Sequence, residues 1–233
     1  MGRIGMTPAT AAQALPRIAE LPALRLEGVY THLAQGEDAR RSREPLSLFD
    51  RLVSSCRSQG VNPLFHAANS AGLLMSPASR YDLVRPGLAL YGAPPSPRVK
   101  GLAPVLTWKT RVVFLKTVPK GTPVSYGGLW RAPRRARLAT LPVGYADGYR
   151  RGMTGRAEVL IQGRRRPVVG RITMDQIVVD VTGLRGVDVG AEVVLLGAQG
   201  RERITADEMA AWADTISYEI FCGITGRVPR IHL

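Results

Sequence analysis

The sequence predicts an α/β segment built from parallel βα units, followed by an almost wholly β segment. Three observations point there. Between residues 24 and 91, apolar runs of strand length alternate with runs at helical spacing. Composition then shifts at Ala93-Pro94-Pro95-Ser96-Pro97, a Pro-rich stretch suited to a boundary, so the expected domains are 1–98 and 99–233. Beyond it, strand-like runs follow one another across Gly and Pro turns.

Taken in order, Thr7-Pro8 supplies an N-cap and a proline at the first helical position, and Pro16 is expected to break or restart that helix. Residues 24–32 read as a strand. Leu46, Phe49, Leu52 and Val53 lie at helical spacing within a helix expected over 42–58, with Gly60 as its stop. A strand over 63–68, a short helix from Ala71 and a strand over 83–91 complete the α/β part. In such units the strand C-termini face the ligand. Those positions hold His32, Asn69-Ser70 and Arg85-Pro86-Gly87. In the second part, strands are expected over 106–118, 136–143, 157–161, 176–181, 192–196 and 227–231. Thr205-Ala206-Asp207-Glu208 is a capping box that opens a helix over 209–216. Arg164-Arg165-Arg166 is expected at the solvated tip of a hairpin.

At 233 residues, with 45% hydrophobic and 21% charged residues, the chain can bury a sizeable core. No apolar run approaches the roughly 20 residues that cross a bilayer, and residues 1–6 lack the apolar core of a secretory signal. Cys56 and Cys222 make neither a disulfide framework nor a metal-ligand spacing, which points to a reduced, cytoplasmic protein without a metal. The net charge of +14 raises nucleic acid as a partner. Against that, the arginines are dispersed and no recognition motif accompanies them.

Two tyrosines stand out, Tyr126 in Val124-Ser125-Tyr126-Gly127-Gly128 and Tyr145 in Val143-Gly144-Tyr145-Ala146-Asp147-Gly148-Tyr149. Glycine beside a phenol marks a sharp turn or a close approach, and a phenol so placed can donate or take a proton. The plainer alternative is a hairpin whose tyrosines pack on a sheet. Ser70 and the Gly87-Leu88 backbone could present donors to a phosphate, although serine also caps helices routinely. Arg85 after an apolar strand needs partners, and His32 is one candidate. Arg3 between glycines could grip a carboxylate. Met174 lies at a turn, and Tyr218 follows the capped helix.

Together these runs resemble the alanine racemase family, fold-type-III enzymes that use pyridoxal 5'-phosphate. The matching runs are Gly2-Arg3-Ile4-Gly5, Gly28 to Ala34, Asn69-Ser70-Ala71, Arg85 to Gly92, Val124 to Gly127, Val143 to Tyr149, Met174-Asp175-Gln176 and Tyr218-Glu219. The resemblance implies the C-terminal half of a TIM (β/α)8 barrel, then a β-barrel-like domain, in a head-to-tail homodimer. It implies interconversion of L- and D-alanine, supplying D-alanine for peptidoglycan precursors, with no nucleic-acid or membrane partner. Tyr126 would be the base on one face of the substrate α-carbon. Arg3, Tyr145 and the Met174 backbone would line the substrate carboxylate site. Ser70, the Gly87 and Leu88 amides and Tyr218 would hold the cofactor phosphate, with Asn69 beside them. Arg85 would donate to the pyridine nitrogen with His32 bonded behind it.

One departure matters. In the family the lysine that carries the cofactor, and serves the opposite face, lies far upstream of the Gly-Arg-Ile-Gly run, which here begins at residue 2. None of Lys100, Lys109, Lys116 and Lys120 replaces it, so the 233-residue chain is expected to be truncated and inactive or severely impaired alone. The rival expectations are an Arg-rich β module that binds nucleic acid, and a fragment that pairs with a full-length racemase.

Overall fold

The structure is a computed structural model that describes residues 1–233. It divides into two compact units, Met1–Ala103 and Pro104–Leu233.

The first unit opens with helix α1 (Pro8–Ala19), whose Thr7 Oγ1 accepts from the Thr10 amide at 3.2 Å. Pro16 does not break it. Proline removes one amide bond, and here that gap falls in the last turn, where the helix is ending anyway. Strand β1 is only Gly28–Tyr30, and α2 (Ala39–Ser58) begins earlier than its apolar spacing suggests. Its N-cap is Asp38, whose carboxylate accepts from the Arg40 and Arg41 amides. Leu46, Phe49, Val53 and Cys56 form its buried stripe. Strand β2 (Leu64–His66) lies parallel to β1, with Val29 opposite Phe65 and Tyr30 opposite His66. Helix α3 (Ser70–Met75) follows. The expected strand over 83–91 is not formed. Backbone bonds from Asp82 to Phe65 and from Arg85 to Ala68 keep the segment alongside β2. Pro86 then ends the pairing, and Leu88–Tyr91 coils into a 3₁₀ turn.

The second unit is antiparallel β with two helices. Its strands are β3 (Trp108–Arg111), β4 (Phe114–Val118), β5 (Pro123–Val124), β6 (Trp130–Arg131), β7 (Ala136–Leu141), β8 (Glu158–Ile161), β9 (Arg164–Val169), β10 (Ile177–Asp180), β11 (Glu192–Gln199) and β12 (Glu202–Ile204). The main sheet runs β12-β11-β8-β9-β10-β7-β4, with β3 also on β11, while β5 and β6 make a separate hairpin. Leu160, Ile161, Val179, Leu195 and Tyr149 are fully enclosed at its centre, and Trp108 meets the Tyr149 ring edge-on at 5.9 Å. Helix α4 (Ala206–Ala213) carries the expected capping box between Thr205 and Glu208. Helix α5 (Ser217–Gly223) was not legible in the sequence. The expected strand over 227–231 is absent. There the Arg230 guanidinium wraps back onto the carbonyls of Ile224, Thr225 and Val228. No helix is long and apolar enough to cross a membrane.

The three consecutive arginines are not a hairpin tip. The turn is Gln162-Gly163, both at positive φ, and the arginines lie in β9. Arg165 sits among Glu158, Glu202 and Glu208 and also donates to the Arg203 carbonyl, tying β8, β9, β12 and α4 together. Its bonds to Glu208 first, and then to the other carboxylates, raise its pKa further. Arg166 is likewise turned inward, onto the carbonyls of Asp180 and Thr182. Arg165→Ala leaves three carboxylates facing one another and should cost about 2 kcal/mol of stability, measured by denaturant unfolding.

Candidate functional site

Candidate site residues gather in two places, one on each unit. On the first unit they lie at the ends of β1 and β2. Asn69 is the N-cap of α3: its Oδ1 accepts from the Gly72 amide at 2.9 Å and its Nδ2 donates to the Leu33 carbonyl at 3.3 Å. Both ends of that amide are therefore engaged within the protein. Ser70, buried at 3% exposure, accepts from the Gly87 amide at 2.9 Å and the Ala89 amide at 3.2 Å through Oγ. A hydroxyl that accepts twice still has its own hydrogen to donate. A Cβ on Gly87 would meet nothing within 4 Å, so the space beside Gly87 is open. A directed hydroxyl beside uncovered backbone fits a phosphate group.

Arg85 is anchored three ways. Nη1 bonds His66 Nδ1 at 2.5 Å, and Nη2 donates to the carbonyls of Thr31 at 3.0 Å and Ala67 at 3.3 Å. Its guanidinium lies 5.0 Å over the Tyr30 ring, which stacks on His66 at 5.3 Å. A guanidinium only donates, so His66 Nδ1 must accept and its proton sits on Nε2. The histidine bonded to Arg85 is thus His66, not the expected His32. Strand register decides this: Tyr30 pairs with His66, bringing that imidazole level with the Arg85 head group, whereas His32 lies past the end of β1.

Burial first, then the Arg85 cation, holds His66 below the ordinary imidazole range. Burial lowers His32 as well, followed by Arg85, Arg3 and the N-terminal amine. Burial is also the first cause of the lowered Arg85 value. Arg3 itself is exposed. Because both histidines titrate lower when folded, the unfolded chain binds their protons first. Stability should fall as pH drops from about 6.5 through the depressed folded values. Melting curves between neutral pH and pH about 5 should show a smaller drop for His66→Gln than for the parent.

On the second unit, Tyr126 sits at the tip of the β5–β6 hairpin, in a tight turn over Tyr126–Gly128. The residue is 72% exposed, so it does not pack on the sheet. Tyr145 is half-exposed, while Tyr149, the third phenol of the pair of motifs, is the one buried in the core. Gly144 through Asp147 form a turn closed by the Gly144 amide on Asp147 Oδ2 at 2.9 Å. That turn is stitched to the next one by Tyr145 N–H to the Thr173 carbonyl and Ala146 N–H to the Met174 carbonyl, each 3.0 Å. Arg227 bridges both turns, pairing with Asp147 at 3.2 Å and Asp175 at 2.7 Å. Met174 is exposed on the second turn, and Tyr218 is exposed on α5.

A cavity of about 290 Å³ lies between the hairpin tip and these turns, lined by Tyr126, Gly127, Tyr145, Arg151, Arg171, Ile172 and Thr173. Two phenols and two guanidiniums make it a polar, cationic cleft suited to a small carboxylate. Tyr126 and Tyr145, singled out in sequence, do share it. Arg151 and Arg171 were missed: arginines in turns carry no periodic signal, and only Gly170, beside Arg171, marks a close approach.

Residues 105–232 match the family description "Alanine racemase, C-terminal domain", and residues 1–95 match "Alanine racemase, N-terminal domain". The chain is 50% identical to the alanine racemase of Symbiobacterium thermophilum, an alignment that takes in 100% of this chain and 63% of the relative. It is 44% identical to that of Halothermothrix orenii, over 99% of this chain and 62% of the relative. Among solved structures, alanine racemase from Streptomyces lavendulae superimposes with TM-score 0.91 at 39% identity, covering 100% of this chain and 63% of that one. The Bacillus anthracis enzyme with bound L-Ala-P gives 0.90 at 38% identity, covering 99% and 61%. The chain thus spans less than two thirds of the length of these proteins.

Proposed function

This chain belongs to the alanine racemase family, and from that premise we propose that its residues supply the tyrosine side and the cofactor cradle of an L-/D-alanine racemase. The observation that carries the reading is the exposed Tyr126 phenol on the same cleft as Tyr145, Arg171 and Arg151. Racemisation takes a proton from one face of the α-carbon and returns one to the other, so it needs a proton-carrying group on each. Tyr126 holds that proton at Oη on one face. Tyr145, the Met174 backbone and Arg3 position the substrate carboxylate.

The first unit fits pyridoxal 5'-phosphate. Ser70 Oγ and the Leu88 amide would hold its phosphate on a turn that Asn69 fixes, the Gly87 amide joining them by exchanging its bond to Ser70 Oγ, and we assign Tyr218 a phosphate contact as well. When bound, the cofactor acts as the electron sink that makes the α-hydrogen acidic. Arg85, anchored by His66, would donate to its ring nitrogen, and a guanidinium that keeps its own protons leaves that nitrogen unprotonated. We assign His32 to the same surroundings. The first unit corresponds to part of a TIM barrel, and the protein to a cytoplasmic homodimer in which each copy completes the other's site.

The opposite face needs an amine. All four lysines are exposed, Lys109 paired with Glu192, and none lies near Ser70, Arg85 or Gly87 in sequence or on those turns. The 233-residue chain with added pyridoxal phosphate should therefore give no racemisation of alanine, followed by chiral chromatography. Joined behind the preceding segment of the Symbiobacterium thermophilum relative, it should racemise alanine. Turnover by the chain alone, or none by the joined protein when it is folded and cofactor-loaded, sinks this reading. The inward-turned Arg165 and Arg166 leave little of the expected arginine face for a nucleic-acid alternative.

A further inference from the structure

Ser125, directly before Tyr126, holds a backbone conformation at φ 61° and ψ −176°. That region is close to glycine-only, because a Cβ there crowds the neighbouring carbonyls. Asp214, by contrast, has an ordinary left-handed geometry at φ 55° and ψ 52°. The same turn uses glycine at its other positive-φ positions, Gly127 and Gly128, yet keeps a side chain at 125.

That side chain makes one bond. Although residue 125 is exposed, its Oγ donates to the Arg171 carbonyl at 2.6 Å. The two segments approach so closely that a Cβ on Gly170 would lie 2.6 Å from the Val124 carbonyl oxygen and 2.9 Å from Ser125 Cβ. The Ser125 carbonyl in turn accepts from the Gly128 amide at 3.2 Å, closing the turn that carries Tyr126. Arg171 lies across that turn, its Nη2 3.8 Å from where a Cβ on Gly127 would be. One hydroxyl therefore joins the two walls of the cleft.

We propose that Ser125 is a positioning residue, whose hydroxyl fixes the Tyr126 phenol relative to Arg171 and so keeps a side chain where the backbone favours glycine. The inference rests on the reading of Tyr126 as the proton-carrying group, but its test requires no turnover. The full chain is labelled with 3-fluorotyrosine, and the Tyr126 fluorine resonance is identified by its loss in Tyr126→Phe. Ser125→Gly relaxes the backbone and removes the hydroxyl, so its melting temperature should stay within about 3 °C of the parent or rise. The Tyr126 resonance should nevertheless broaden or move toward the free amino acid, while that of Tyr145 stays put. Ser125→Ala, which loses the bond and keeps the strain, should melt lower and show the same change at Tyr126. A Tyr126 resonance unchanged in both variants overturns the proposal, as does an equal change at every tyrosine. Should Tyr126 prove dispensable for proton transfer, the activity of Tyr126→Phe shows it separately, and the ordering result stands on its own.

Discussion

Tyr126→Phe in the joined, lysine-containing protein should lower racemisation about 10³-fold, the scale on which a positioned acid–base group acts. The phenyl ring remains and only the oxygen is lost. Because Tyr126 is 72% exposed, folding stability should stay within about 0.5 kcal/mol of the parent. The loss should also be lopsided. A group on one face can still exchange the α-hydrogen with solvent deuterium when its counterpart is gone, so exchange should persist for one alanine enantiomer and vanish for the other. Racemisation within twofold of the parent would show that Oη of Tyr126 carries no proton.

The second large effect is steric. Gly144→Ala places a Cβ 2.2 Å from the Thr173 carbonyl oxygen and 2.3 Å from that of Met174. Those are backbone atoms, which cannot swing aside as a side chain can. The two stitches from Tyr145 and Ala146 would have to open, and the turn that presents Tyr145 with them. The expected cost is about 3 kcal/mol or more, a large share of the roughly 5–15 kcal/mol typical of a domain. Gly152→Ala is the matched control: its new Cβ would meet nothing nearer than 3.5 Å, and its effect should stay under about 0.5 kcal/mol. Equal unfolding midpoints for the two variants would rule out the close approach at residue 144.

Much of this was readable without coordinates, and the failures have definite causes. Thr205 and Glu208 announce α4 because a capping box is a local bargain between neighbours. The strands of the second unit were legible from apolar runs and glycine turns, although β11 proved longer than its core of apolar residues. Asp38 and Asn69 lay in plain view as caps, yet the apolar spacing drew the helix starts inward of both. Pro16 was over-read, since its penalty depends on whether a downstream turn needs the missing bond. The partner of Arg85 was out of reach for a different reason. His32 ends one expected strand and His66 lies within another, and only the pairing of Tyr30 with His66 selects between them. Register is a long-range property. The same holds for Arg171, which joins the cleft only because Gly170 lets two distant segments touch.

The wall that carries Tyr145 and Met174 is held mainly by amide-to-carbonyl bonds, and every amino acid but proline brings the same amide and carbonyl. Relatives could therefore exchange the Met174 side chain and keep the wall's shape, whereas Thr173 and Asp175 add side-chain ties of their own. Drift would be tolerated at Met174 and forbidden at Gly144, where a single added carbon meets two carbonyl oxygens. In a saturation library scored for folding, that position should read as an intolerant column while Met174 on the facing turn stays permissive.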